Sequence, residues 1–167
     1  MDAFLLGTTI LSIYLDPTHQ LHAEKSRALD ALPAAAPRYI SAVALAELTF
    51  EADLAAATGK GDESALREMI RKACAYTVLD ITNQTVTTFA KLKSRIAAKY
   101  LAKPHRHDRP KYVENWVNQA TGDVLGVGEN YLWMCAQAKE RGLVLVTTDR
   151  RIKRIVDADA DVRLLII

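Results

Sequence analysis

Two carboxylates in this chain stand where carboxylates are unusual. Glu47 interrupts the otherwise apolar helical stretch Val43–Leu48. A lone acid there is costly unless a hydrogen bond, a cation or a metal offsets it. Asp149 follows the apolar run Leu143–Val146 directly, with the hydroxyls of Thr147 and Thr148 beside it. Asp149 also reads simply as the N-cap of a helix beginning at Arg150, and capping is compatible with a role in a site. Arg150, Arg151, Lys153 and Arg154 come next, a basic set that could neutralise backbone phosphates. Thr8, Thr9 and Thr147 are most simply turn and cap residues, and Glu47 on its own could be a partly exposed helix residue.

The elements that position these groups alternate along the chain. Ala3–Leu6 reads as a strand ending at Gly7, followed by a helical pattern from Ile10 to Leu15 that Pro17 stops. Arg38–Ile40 is a second strand, and Ser41 caps a helix lined by Val43, Leu45, Leu48 and Leu54 that ends near Gly59. Asp62 opens a helix to about Cys74, Tyr76–Ile81 alternates like a strand, and Thr82 or Asn83 starts a long basic helix to about Tyr100. A polar stretch from Lys103 to Lys111 leads to a short helix around Trp116, a glycine-containing loop from Gly122 to Gly128, and a helix from Glu129 to about Arg141 that Gly142 ends. Leu143–Val146 is a strand, Arg150–Val156 a short helix, and Arg163–Ile167 a closing strand. Both late strands read as buried on two faces. This rhythm implies a mostly parallel sheet wrapped by helices, in which ligands lie beyond the carboxyl ends of the strands. That rule selects Gly7–Thr9, Ser41–Glu47 and Thr147–Asp149.

Composition sets the outer bounds. The chain has 167 residues, half of them apolar, with 22 Lys plus Arg against 20 Asp plus Glu. That is enough for one domain spanning 1–167 and too apolar for a disordered chain. No apolar run approaches the roughly 20 residues of a spanning helix, and the stretch from Phe4 to Leu15 lacks the basic leader of a secretory signal, so no membrane role is expected. Cys74 and Cys135 lie in helical segments without CxxC or Cys/His spacing, which points to a reducing, cytoplasmic setting rather than a disulfide frame or zinc site. A net charge of +2 does not by itself announce nucleic-acid binding.

Four blocks carry a resemblance to a known family: Phe4-Leu5-Leu6-Gly7-Thr8-Thr9-Ile10-Leu11-Ser12, Ile40-Ser41 leading to Ala46-Glu47-Leu48, Gly128-Glu129-Asn130-Tyr131-Leu132-Trp133-Met134, and Leu145-Val146-Thr147-Thr148-Asp149. Together they resemble PIN-domain proteins, specifically the toxin ribonucleases of the VapC type, over nearly the whole chain. The resemblance implies an α/β/α sandwich with a mostly parallel central sheet. It also implies an endoribonuclease whose three or four acids hold Mg²⁺ or Mn²⁺ for phosphodiester hydrolysis of RNA.

Carried over by position, Glu47 and Asp149 match two of those acids as metal-holding, catalytic residues. The other two positions depart from the pattern, being Gly7 and Tyr131 here. Four carboxylates bring a charge of about −4 and two only about −2, so the attraction for a divalent ion falls steeply. Glu129 or Asn130, in the first turn of the late helix, could supply a surrogate ligand, whereas Asp16 lies across most of a helix from Gly7 and points away. The resemblance gives Thr147 the task of orienting a ligand carboxylate, and Thr9 stands where relatives tend to have Asn.

The resemblance also implies a small antitoxin inserting a helix against apolar helix faces; a homodimer through the same faces is the other expectation. A binding module without hydrolysis, a pseudonuclease, is the competing reading, favoured by Gly7 and Tyr131. A receiver-like or small-cofactor domain lacks support, because no glycine-rich phosphate loop follows a strand. Lys91, Lys93, Arg95 and Lys99 read as a basic helix face, and the Lys103–Lys111 stretch as a solvated loop whose alternative is a phosphate-contacting patch. His105 and His107 have no obvious further ligands for a metal. Tyr131, Trp133 and Trp116 could stack on bases, with core packing the expectation for Trp133.

Overall fold

The computed structural model describes residues 2–167. Five strands, β1 (Phe4–Leu6), β2 (Arg38–Ser41), β3 (Thr77–Leu79), β4 (Val144–Thr147) and β5 (Arg163–Ile166), form one sheet in the order β3-β2-β1-β4-β5. Every pairing is parallel, with Leu6 in register with both Ile40 and Val146. Leu5, Leu6, Ile40, Leu145 and Val146 are completely buried, so the three central strands are apolar because helices cover both faces.

Seven helices connect them: α1 (Thr8–Leu15), α2 (His22–Asp30), α3 (Ala42–Thr58), α4 (Glu63–Ala73), α5 (Asn83–Tyr100), α6 (Glu129–Glu140) and α7 (Lys153–Ala158). Helices α2, α3 and α4 pack around α1, while α6 and α7 pack on α5. Right-handed crossovers explain the division: the chain steps from β1 to β3 in one direction along the sheet and later from β4 to β5 in the other. The connection after β1 therefore leaves toward one face and that after β4 toward the opposite face, opening a crevice between their carboxyl ends.

Local chemistry sets the boundaries. Ser41 Oγ accepts the Val43 N–H at 3.0 Å to start α3, and Gly59, at φ 63°, ends it in the left-handed region where glycine has no steric penalty. Asp62 caps α4, and Thr82 with Thr85 forms a reciprocal capping box on α5.

Four expectations need correction. Helix α2 has no counterpart in the sequence reading, because Leu29 is its only buried residue and it shows no apolar stripe. Strand β3 is three residues long rather than six, since it pairs only with β2 at one edge of the sheet. Strand β5 is the opposite edge and is half-buried rather than buried on two faces. The segment at Trp116 is a single 3₁₀ turn, Val113–Asn115. Trp116 is completely buried behind it, donating to Pro110 O at 2.9 Å.

Candidate functional site: the carboxyl ends of β1 and β4

The crevice brings Gly7, Glu47, Tyr131 and Asp149 together from four separate elements. Gly7 leaves β1 with its N–H on Val146 O at 2.9 Å, and α1 begins at the next residue. Its φ of −71° suits any residue, so the constraint on a side chain here is space rather than conformation. A Cβ at Gly7 would sit 3.0 Å from Val146 O and 3.4 Å from Cε1 of Tyr131. The tyrosine ring thus lies in contact with the place a Cβ at position 7 would take.

The Tyr131 hydroxyl is the centre of a hydroxyl network. It lies 2.7 Å from Thr9 Oγ1 and accepts from Thr147 Oγ1 at 3.2 Å, while Thr148 Oγ1 donates to Thr9 at 3.1 Å. Either hydroxyl can be the donor in the bond between Thr9 and Tyr131. Thr147, fully buried at the end of β4, also accepts the Asp149 backbone N–H at 3.0 Å. Its hydroxyl therefore orients the backbone before Asp149 and the phenol of Tyr131, not a carboxylate.

Both matching acids are already engaged. Glu47, half-buried on α3, accepts the Thr8 hydroxyl on Oε2 and the Asn130 side-chain amide on Oε1 at 2.8 Å. Asp149 accepts the Arg151 backbone N–H on Oδ1 at 2.9 Å, as a cap, and is clasped by the Arg151 guanidinium, with Nε at 2.9 and 3.2 Å from its two oxygens and Nη2 at 2.7 Å. Burial pushes the Asp149 carboxyl up, but the Arg151 guanidinium and backbone N–H outweigh it and hold the group below the ordinary aspartate value. The pairing with Asp149 in turn raises the Arg151 guanidinium.

Glu129 does not turn toward these acids. Its Oε1 accepts from Lys93 Nζ on α5 at 2.6 Å, and its backbone N–H donates to Glu114 Oε1 at 2.9 Å. Glu114 was not flagged from sequence. Its position inside the short 3₁₀ turn gave no periodic signal, yet its carboxylate accepts the first N–H of α6, where an acid is favoured by the exposed N–H groups. Glu47, Glu114, Glu129, Asn130, Tyr131, Asp149 and Arg151 line one open cavity of about 450 Å³.

Asp16 is remote, capping its own turn by accepting from Thr18. Nor do the flanking cations form a continuous basic face. Arg154 is spent on the carbonyls of Val124 and Leu125, and Lys153 borders a separate cavity with Leu164 and Ile166. On α5, Lys93 pairs with Glu129, Arg95 with Asp159, and Lys99 reaches Asp157 O. Arg150 is exposed beside Asp149.

A hard divalent cation needs several oxygens converging with free lone pairs. Among the described residues, no three His, Cys, Asp or Glu side chains gather as such a set. The residues present do not fit Mg²⁺ or Mn²⁺: one position is glycine, one is a ring packed against that glycine, and the two acids bond to Thr8, Asn130 and Arg151.

Beside this cavity runs a larger apolar groove of about 720 Å³, bordered by Thr8, Val43, Glu47, Phe50, Ile81 and Trp133. Phe50 is 59% exposed and Leu54, one turn on, 44%. Trp133 is half-buried at its rim, stacked on Phe89 with centroids 3.8 Å apart, so the expected core position falls to Trp116 instead.

The PIN domain family model matches residues 5–158. Among solved structures, the chain is similar to VapBC2 from Rickettsia felis bound to a DNA fragment from its promoter, at 16% identity and a TM-score of 0.66 over 98% of this chain and 97% of that one. It is similar to DNA-bound VapBC from Salmonella typhimurium at 20% identity, TM-score 0.61, over 99% and 98% of the two chains. VapBC-5 from Mycobacterium tuberculosis, described as a toxin–antitoxin system, aligns at 18% identity and TM-score 0.62 over the whole of both chains. A comparison with curated proteins finds no match. The parallel sheet, the crevice at its switch point and a family match covering nearly the whole sequence lead to one conclusion: this chain belongs to the PIN domain family.

Proposed function

We propose that this chain is a VapC-like PIN domain, one unit over residues 1–167, that has lost hydrolysis and keeps partner binding. It is the pseudonuclease member of a cytoplasmic toxin–antitoxin pair. The observation that carries this reading is the packing of Tyr131 against Gly7, which leaves Glu47 and Asp149 without the companions a divalent ion needs. The partner is a small antitoxin laying an amphipathic helix along the groove at Val43, Phe50 and Trp133, with exposed Leu54 one turn beyond it on α3. Support comes from the fold-level neighbours, which are toxin–antitoxin complexes. No helix among the described residues is long and apolar enough to cross a membrane.

A second reading is a weakened Mg²⁺- or Mn²⁺-dependent endoribonuclease, with Glu47 and Asp149 catalytic and Arg150, Arg151 and Lys153 touching RNA. It is favoured by one fact, that both acids face the same cavity. Cleavage of structured RNA in Mn²⁺ separates the two. The wild type is expected to be silent and Gly7→Asp/Tyr131→Asp to cleave. Wild-type cleavage that disappears in Glu47→Gln would establish the second reading.

A further inference from the structure

We propose that Arg151 is a resident cation of this site: at Asp149 its guanidinium takes the charge-compensating place of a divalent ion, and the two compete for the same carboxylate. The inference rests on the reading that the metal centre is not assembled.

Three features build the arrangement. First, a single residue satisfies both oxygens of Asp149. The Arg151 backbone N–H and Nε converge on Oδ1, both at 2.9 Å, while Nη2 meets Oδ2 at 2.7 Å. Paired N–H bonds to a carboxylate are the geometry a planar guanidinium supplies and an ammonium does not.

Second, the loop preceding α6 is shaped to receive the side chain. Gly126 sits at φ +61°, and a Cβ there would lie 3.1 Å from Cδ and 3.4 Å from Nη1 of Arg151. The stem therefore runs directly along a left-handed glycine, where any other residue would be both strained and in the way.

Third, the two partners differ in exposure. The Asp149 side chain is 13% exposed and that of Arg151 62%. Sheltered oxygens are covered by a group that solvent can reach, so the clasp can open without unfolding β4. A divalent ion needs the same lone pairs that the guanidinium holds, and the two cations also repel one another at this range. With the guanidinium removed, Asp149 and Glu47 face one cavity with no compensating charge on either.

The test is Mn²⁺ uptake by the full chain, read as loss of the free-ion electron paramagnetic resonance signal. It is run on the wild type, Arg151→Met, Arg151→Lys and Arg151→Met/Asp149→Asn, each checked for folding by circular dichroism. The wild type is expected to leave the signal unchanged at millimolar Mn²⁺. Arg151→Met, still without further acids beside Asp149 and Glu47, should take up Mn²⁺ weakly but measurably, on the order of tenfold or more tighter than wild type. Arg151→Lys should bind less than Arg151→Met, and the added Asp149→Asn should abolish uptake. If neither wild type nor Arg151→Met binds, or if binding survives Asp149→Asn, the resident-cation inference falls while the pseudonuclease reading stands. Tight uptake by the wild type overturns the pseudonuclease reading itself.

Discussion

Positions 7 and 131 are neighbours in space, since a Cβ at Gly7 would lie 3.4 Å from Tyr131 Cε1. Gly7→Asp alone should be destabilised by about 1–3 kcal/mol, the usual cost of overpacking, as its Cβ meets Val146 O and Tyr131 Cε1. Replacing Tyr131 with Ala in the same chain should recover part of that loss, and urea denaturation of the two single variants and the double gives the coupling. Tyr131→Phe keeps the ring and deletes the hydroxyl that ties Thr9 to Thr147. It should cost about 0.5–1.5 kcal/mol per hydrogen bond lost, with no change in the denaturant slope. Additive effects in the first series would mean that the two residues do not share a space.

Among the elements, the packing of α5, α6 and α7 depends on one buried acid. Asp159, whose side chain is 1% exposed, accepts from Lys139 on α6 at 2.7 and 2.6 Å and pairs with Arg95 on α5. Burial raises its carboxyl, but Lys139, the Asp161 backbone N–H and Arg95 more than reverse this and hold it below the ordinary aspartate value. A depressed folded-state value contributes stability that is fully present above the unfolded value of 3.8 and is lost as pH falls through the folded one. Urea midpoints of the wild type and Asp159→Asn should therefore differ most at pH 7 and converge toward pH 2. A gap independent of pH would assign the effect to packing rather than charge.

The same network explains what could be read from sequence at this scale. Strong periodicity and caps placed α1, α3, α4, α5 and α6 within a few residues, because Ser41, Asp62 and Gly59 act locally. Helix α2 escaped because a single buried leucine gives no period. The supposed basic face of α5 dissolved because the partners of Lys93 and Arg95 lie on α6 and beyond α7, 36 and 64 residues away. Such pairing leaves no mark in local spacing.

For the molecule as a whole, the mostly parallel sheet and the positions at its carboxyl ends were legible because alternating elements and right-handed crossovers leave few alternatives, whereas the strand order was not. That Glu47 and Asp149 meet near Gly7 follows from the strand-end rule, while Tyr131 was pointed to only by the family resemblance. How each is bonded follows from neither, since the clasp of Arg151 and the amide of Asn130 depend on side-chain directions that the tertiary structure decides.

The groove belongs to this scale too, because residues of α1, α3 and α6 and the segment before α5 border it together. Phe50→Asp replaces an exposed ring and should change stability by no more than about 0.5 kcal/mol. It should nevertheless abolish binding of an antitoxin helix in co-purification. A large fall in melting temperature would instead place Phe50 in the chain's own core packing.

The most direct measurement is calorimetric titration of Mg²⁺ and Mn²⁺ into the wild type, Gly7→Asp/Tyr131→Asp and Glu47→Gln. A site closed by Tyr131 and contested by Arg151 gives no saturable heat in the wild type, whereas four carboxylates in the double variant outcompete the guanidinium and give a binding isotherm. Saturable binding to the wild type that is lost in Glu47→Gln would contradict the loss of the metal centre.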